Sequence, residues 1–292
     1  MVWLLLRHNP EKGNIVSFLR FAAVGILLGI CVFLKNFSMV FFVAMVITGL
    51  MWALKYRFDW KKAVIHVLLL AVAFGSYSVV TAALYRTADH LVGQPVNRSV
   101  APCYAYVGLH STGTGTYNDA LYRHYFSLLT YTGYDYDRTN DIVLDELMQD
   151  IKENESFDVL LDHKATVALS SDKYRIEFVQ DSFLEAGHEY AASFLASDES
   201  FLDVQGINDW FYYIILWSMA IGLIIAYRQR ELGLLFNYLV IFGSALLLLI
   251  VEAQGRYMYS IQPLYCIGAS FGLYRVWKWM TAGKKNAGNK SL

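Results

Sequence analysis

Six stretches of this chain, 15–34, 37–54, 63–85, 210–227, 232–251 and 257–276, are each long and apolar enough to cross a lipid bilayer as a helix. A hydrocarbon core of about 30 Å and a rise of about 1.5 Å per residue set that requirement at roughly 20 residues. Inside hydrocarbon the main-chain N–H and C=O groups must bond within their own segment, so such stretches fold as helices. The expected fold is therefore an α-helical polytopic membrane protein with about six transmembrane helices. Composition agrees, since only 17% of the residues are charged, against about 25% in soluble domains. A formal net charge of −1 gives no electrostatic footprint for nucleic acid.

Charge placement orients these helices. The segments before 15, between 54 and 63, between 227 and 232 and after 274 carry Arg7, Lys12, Lys55, Arg57, Lys61, Lys62, Arg228, Arg230 and a basic tail from Arg275 onward. The short turns on the other side hold only Lys35 and Arg256. By the positive-inside rule both termini are cytoplasmic. This divides the chain into a cytoplasmic stub (1–14), helices one to three (15–85), a large outer segment (86–209), helices four to six (210–276) and a basic cytoplasmic tail (277–292). Met1–Leu6 is apolar but short; it reads either as the last turns of a further spanning helix or as an interfacial segment.

The outer segment holds 21 Asp and Glu against 8 Lys and Arg. Such an excess belongs to a solvated surface. Its pattern is mostly helical: Asp119–Tyr131, Thr139–Asn154, Asp158–Leu169 and Phe183–Leu195 are candidate helices, and Lys173–Val179 alternates like a short strand. The expected domain is thus α with minor β. Neither a hydrolase triad nor a metal-ligand spacing is visible, and the three cysteines form no disulfide or zinc pattern. No metal or other cofactor is assigned, and a need for a divalent ion is left open.

Two features invite a ligand. Lys35 and Arg256 sit at the outer mouths of hairpins, against the prevailing charge bias. Arg presents a planar fork and Lys a point charge, both suited to phosphate. Glu252, four residues before Arg256, can orient it. The alternative is snorkelling or a structural ion pair. The second feature is the loop Ser111-Thr-Gly113-Thr-Gly115-Thr-Tyr117-Asn118-Asp119. It lacks the Gly-Lys-Ser/Thr of a nucleotide loop. It reads either as a flexible turn ending at a helix cap or as a small-residue nest for a sugar or phosphate, with Gly113, Gly115, Tyr117 and Asn118 as its contacts. Asp135 and Asp137 form an Asp-x-Asp pair, a common pattern in an acidic region.

Together these residues suggest a family. Glu252-Ala-Gln-Gly-Arg-Tyr257 followed by Pro263, the Lys35-Asn36 turn, and Tyr106-Val-Gly-Leu109 preceding Gly115-Thr-Tyr-Asn118 resemble segments of bacterial GT-C-type glycosyltransferases. The resemblance is to the Gram-positive members similar to protein mannosyltransferases, and it runs in order over most of the chain. It implies transfer of a sugar from a polyprenyl-phosphate donor to a cell-envelope glycan or protein acceptor on the outer face of the bacterial cytoplasmic membrane. Arg256 and Lys35 would bind the lipid phosphate, with Glu252 and Tyr257 in support. In that family the acid that activates the acceptor lies in a first outer loop, for which the Lys35-Asn36 turn offers no counterpart. The catalytic base is therefore unassigned. The chain then reads as the C-terminal portion of such an enzyme, with a second chain supplying N-terminal helices as a candidate partner. The competing reading is a non-catalytic membrane partner that binds lipid-linked sugar.

Overall fold

The computed structural model describes residues 15–34, 38–55, 60–154, 156–169, 187, 198–229, 231–253 and 261–288. The regular structure of these residues is helical, with no strand among them. The helices are α1 (Ile15–Leu34), α2 (Ser38–Lys55), α3 (Trp60–Val92), α4 (Ala101–Leu109), α5 (Asp119–Tyr131), α6 (Tyr136–Glu153), α7 (Phe157–Leu169), α8 (Asp198–Gln229), α9 (Leu232–Ile250) and α10 (Gln262–Gly288). The expected strand at Lys173–Val179 and the helix at Phe183–Leu195 fall outside the described residues, apart from Gly187.

Among the described residues, four helical stretches are long and apolar enough to cross a membrane by length and composition: Ile15–Val32, Ala63–Val92, Asp209–Gln229 and Leu232–Ile250. Met39–Met51 in α2 is a shorter apolar stretch. Large apolar side chains such as Leu19, Val43, Leu50, Trp217, Ile224 and Phe242 stand exposed on these helices. Contiguous apolar exposure of that kind points to a membrane protein.

The chain divides into two compact units. One comprises Met1–Arg98 with Leu223–Ser244, the other Ser99–Gly222 with Ala245–Leu292. In the first, α1 packs along α3. Gly25 lies against Ala73, where an added methyl group would overlap the Ala73 carbonyl, and Gly29 lies against Tyr77 and Val80. Residue numbers rise together, so α1 and α3 run parallel. On α2, Phe42 meets Tyr77 and Phe74 edge-on, at ring separations of 5.1 and 5.6 Å, and Gly49 faces His66. Here the numbers run in opposite senses, so α2 returns antiparallel. These three helices thus form an up-down-up set. Glycines let the main chains approach, which is how helices associate where hydrophobic burial offers no drive.

In the second unit α4, α5 and α6 enclose a core of Cys103, Tyr106, Val107, Leu121, Tyr125, Val143 and Leu147. Helix α5 spans the residues its pattern predicts. Helix α6 starts three residues earlier than expected, because the Asp135 side chain accepts from the Arg138 N–H and caps it. That accounts for half of the Asp-x-Asp pair as a helix stop-and-start signal. The preceding turn carries Gly133 and Tyr134 at φ of 69° and 66°. In the same unit Gly272 of α10 sits so close to Ser218 of α8 that an added methyl would overlap the Ser218 carbonyl. Unlike the segment read as 86–209, this unit takes in α9's last turns and α10 as well.

Candidate functional site

The site is built where the chain leaves α9. Three successive residues there are tied to α4, α7 and the loop that follows α4. Val251 offers its carbonyl to the Lys164 ammonium at 2.7 Å. The Glu252 N–H donates to the Tyr104 carbonyl at 2.8 Å, and the Ala253 N–H donates to the Gly115 carbonyl at 2.7 Å. A main-chain segment without a helix or sheet still needs partners for its polar groups. Here α4, the Gly113–Thr116 loop and α7 supply them.

Glu252 is 1% exposed and Lys164 is fully buried. The Tyr122 hydroxyl, from α5, donates to the Glu252 carboxylate. Lys164, from α7, donates a second bond to the Gly108 carbonyl at 2.7 Å. Burial pulls the Lys164 ammonium down to about 8, and the nearby Glu252 charge opposes that shift. Cys103 is pushed up to about 12, first by burial and then by the Glu252 charge. Burial and the neighbouring Glu146 and Asp150 raise Tyr106 as well. The site is thus a buried carboxylate and a buried ammonium held among main-chain dipoles, with aromatic hydroxyl support.

Two glycines make this approach possible. At Gly108 a methyl group would overlap the main chain of Val251 and Glu252. Gly115 has φ +74°, in the left-handed region, and a methyl there would overlap the stem of Lys164, whose Cδ would lie 2.6 Å away. The loop itself is anchored at its start: the Ser111 N–H donates to the Asp150 carboxylate at 2.7 Å, and the Gly113 N–H donates to the His110 carbonyl at 3.0 Å. Thr114 and Thr116 share a hydroxyl bond of 2.7 Å.

Of the residues singled out from sequence, Glu252 and Gly115 come together through adjacent main-chain bonds. Gly113 is not part of that junction; it lies in the turn behind it. Tyr117 is 59% exposed and stacks on Tyr122, with ring centroids 5.3 Å apart. It therefore offers an aromatic face beside the hydroxyl that reaches Glu252. Asn118 is the N-cap of α5: its side-chain oxygen accepts from the Ala120 and Leu121 N–H groups at 3.0 and 3.3 Å. The loop thus ends at a helix cap, one residue before Asp119, and Asn118→Ala should lower stability by about 1 kcal/mol while Asn118→Asp should retain it. Thermal unfolding of the three proteins checks this. Lys35, Arg256 and Tyr257 fall outside the described residues. No group of three or more His, Cys, Asp or Glu suited to a metal occurs among the described residues.

Sequence reasoning missed Lys164, Tyr122 and Tyr104. A signal for Lys164 was present. Phe157, Leu160, Leu161 and Lys164 share one face of α7 at helical spacing, and Leu160 is buried. A lysine continuing an apolar stripe is a lysine that goes inside.

No family model, no curated protein and no solved structure matches this chain.

Proposed function

We propose that this chain is a membrane glycosyltransferase of the GT-C type, or the C-terminal part of one, using a polyprenyl-phosphate sugar as donor. In this reading six helices span a bacterial cytoplasmic membrane, α2 and α10 included. Both termini are cytoplasmic, and residues 86–209 lie outside with the cell-envelope acceptor. The observation that carries it is the hydrogen bond from Ala253 to Gly115. It joins the Glu252–Tyr257 segment to the Gly-x-Tyr-Asn loop, two motifs that resemble the same family and stand far apart in sequence. A phosphate-binding segment and a sugar-binding loop would have to meet for transfer to occur.

Within this reading Arg256 and Lys35 hold the lipid phosphate. Charge-assisted bonds from a cationic fork stabilise the developing negative charge as the sugar leaves. Glu252 supports that segment from its buried position, and the exposed Tyr117 ring offers a stacking face for a sugar. The expected result is that Arg256→Ala weakens binding of a polyprenyl phosphate by roughly tenfold or more, as loss of a charged hydrogen bond of about 1.5–3 kcal/mol requires. Binding that stays unchanged would sink the phosphate role.

One observation favours a second reading. The first hairpin turn, Lys35-Asn36, holds no carboxylate, so no acceptor-activating base is assigned on this chain. A membrane subunit that binds lipid-linked sugar without turning it over fits that fact. Co-purification from native membranes distinguishes the two: turnover by the chain alone excludes the subunit reading.

A further inference from the structure

We infer that Lys164 is the positioning residue that latches the Val251–Ala253 segment, and so sets where the following Arg256 can meet a lipid phosphate. The inference rests on the proposed function for its ligand, and on geometry for the latch itself.

The geometry has three parts. First, the Lys164 ammonium binds two carbonyls, of Gly108 at the end of α4 and Val251 at the end of α9, at 2.7 Å each. One side chain thereby joins α7 to two segments that are distant in sequence. Second, the stem passes through a slot that exists only because residue 115 lacks a side chain. Loop 113–116 and Lys164 therefore fix one another, and the loop in turn holds Ala253. Third, only two residues separate Ala253 from Arg256, a reach of at most about 11 Å. Fixing Ala253 therefore limits, through chain connectivity alone, how far from it residue 256 can lie. An aliphatic side chain would fill the slot but leave both carbonyls without the N–H donors that Lys164 supplies.

The latch has a pH signature that packing alone lacks. In the closed form burial holds the Lys164 ammonium at about 8, against 10.5 in water. Opening returns it to water, so the open form binds the proton more tightly. Opening is therefore easiest below about pH 8 and becomes harder as pH rises from there towards 10.5. The titratable groups around it are Glu252 on the segment it holds, Tyr122 on α5, which donates to Glu252, and Cys103 on α4, which the Glu252 charge also reaches.

The test uses the full chain in lipid nanodiscs, with decaprenyl monophosphate as the probe and decaprenol as its phosphate-free control. Amide hydrogen exchange of Glu252 and Ala253, divided by the intrinsic rate, reports the latch. Lys164→Met should speed that exchange at least tenfold and weaken decaprenyl-phosphate binding at least tenfold. In the wild type the corrected exchange should slow between pH 7 and 9, and in Lys164→Met it should not. The wild-type series needs no variant, so it decides the latch even if Lys164→Met fails to fold: flat protection across that range overturns it. Exchange that is unchanged by Lys164→Met also overturns the latch. Faster exchange with unchanged phosphate binding overturns the positioning role. A wild-type chain that binds the phosphate no better than decaprenol overturns the proposed function, and the positioning role with it, while the exchange data still report the latch separately.

Discussion

Gly108→Ala should destabilise the second unit by about 2–4 kcal/mol, although glycine-to-alanine in a helix ordinarily helps. Alanine in a helix interior is worth about 1 kcal/mol over glycine. At Gly108 that gain meets a main chain, not a flexible side chain: the added carbon would overlap Val251 and Glu252, with the Val251 carbonyl oxygen 2.8 Å away. Neither neighbour can rotate aside. Either α4 or the segment after α9 must move, and overpacking of that kind is worth about 1–3 kcal/mol. The displacement also strains the bonds from Glu252 to Tyr104 and from Lys164 to Gly108, each contributing about 1 kcal/mol. Together these outweigh the propensity gain. Gly75 on α3 is the control, because nothing lies within 4 Å of its added methyl; Gly75→Ala should leave stability unchanged or raised. Thermal unfolding midpoints of both variants read the outcome. Equal behaviour of the two would mean that the α4 contact does not hold the segment.

Glu252→Gln should lower stability by about 1–3 kcal/mol near neutral pH, and the loss should depend on pH in one direction. Glutamine keeps an oxygen for the Tyr122 hydroxyl, but the bond changes from charge-assisted to neutral, which is roughly half as strong. The larger effect is on Lys164. The Glu252 charge holds its ammonium up against desolvation. Without that charge, Lys164 in the folded state falls below about 8. A lysine whose folded value lies under its value in water destabilises the fold while it is charged, and stops doing so once it is neutral in both states. The variant's penalty through Lys164 is thus complete below the variant's own lowered value and vanishes above about pH 8. The gap in unfolding midpoint between wild type and variant should be wider at pH 6.5 than at pH 9. A gap of constant size would separate Glu252 from Lys164 electrostatically. The same substitution removes one of the two causes that raise Cys103, so its thiol should move down from about 12.

Local physics in this sequence was easier to read than contact at a distance. The bounds of α1 and α5 follow from apolar periodicity and, at α5, from Asn118 as a cap with Asp119 behind it. Helices α3 and α8 run beyond their apolar stretches, to Val92 and back to Asp198. Hydropathy marks where hydrocarbon would end, and a helix has no reason to stop there: Arg86, Thr87 and Asp89 are polar yet helical. Helix α4 was not expected. It has nine residues, with proline at its first turn, too short for a periodic signal. At the site, Glu252 was singled out by its spacing from Arg256 and the Gly115 loop by its small residues, and the main-chain bond from Ala253 to Gly115 brings them together. Tyr122 and Tyr104 became legible only in three dimensions, since their bonds to Glu252 span large separations. No periodicity encodes a pairing between residue 122 and residue 252. Lys164 is the intermediate case, a charge on an apolar stripe that marks its burial without naming its partners.

Cys103 gives the chain a clock of its own. Its thiol is buried in the core shared by α4, α5 and α6 and pushed up to about 12, so at pH 8 only roughly one molecule in ten thousand carries the reactive thiolate there. The other two thiols, Cys31 and Cys266, are exposed on apolar helices, where bilayer hydrocarbon would shield them from a water-soluble, charged alkylating reagent. Labelling of the intact chain by such a reagent would then be gated by the rate at which that core breathes open. The molecule needs no engineered probe for the opening of this core to be timed, because chemistry at one native sulfur counts the openings.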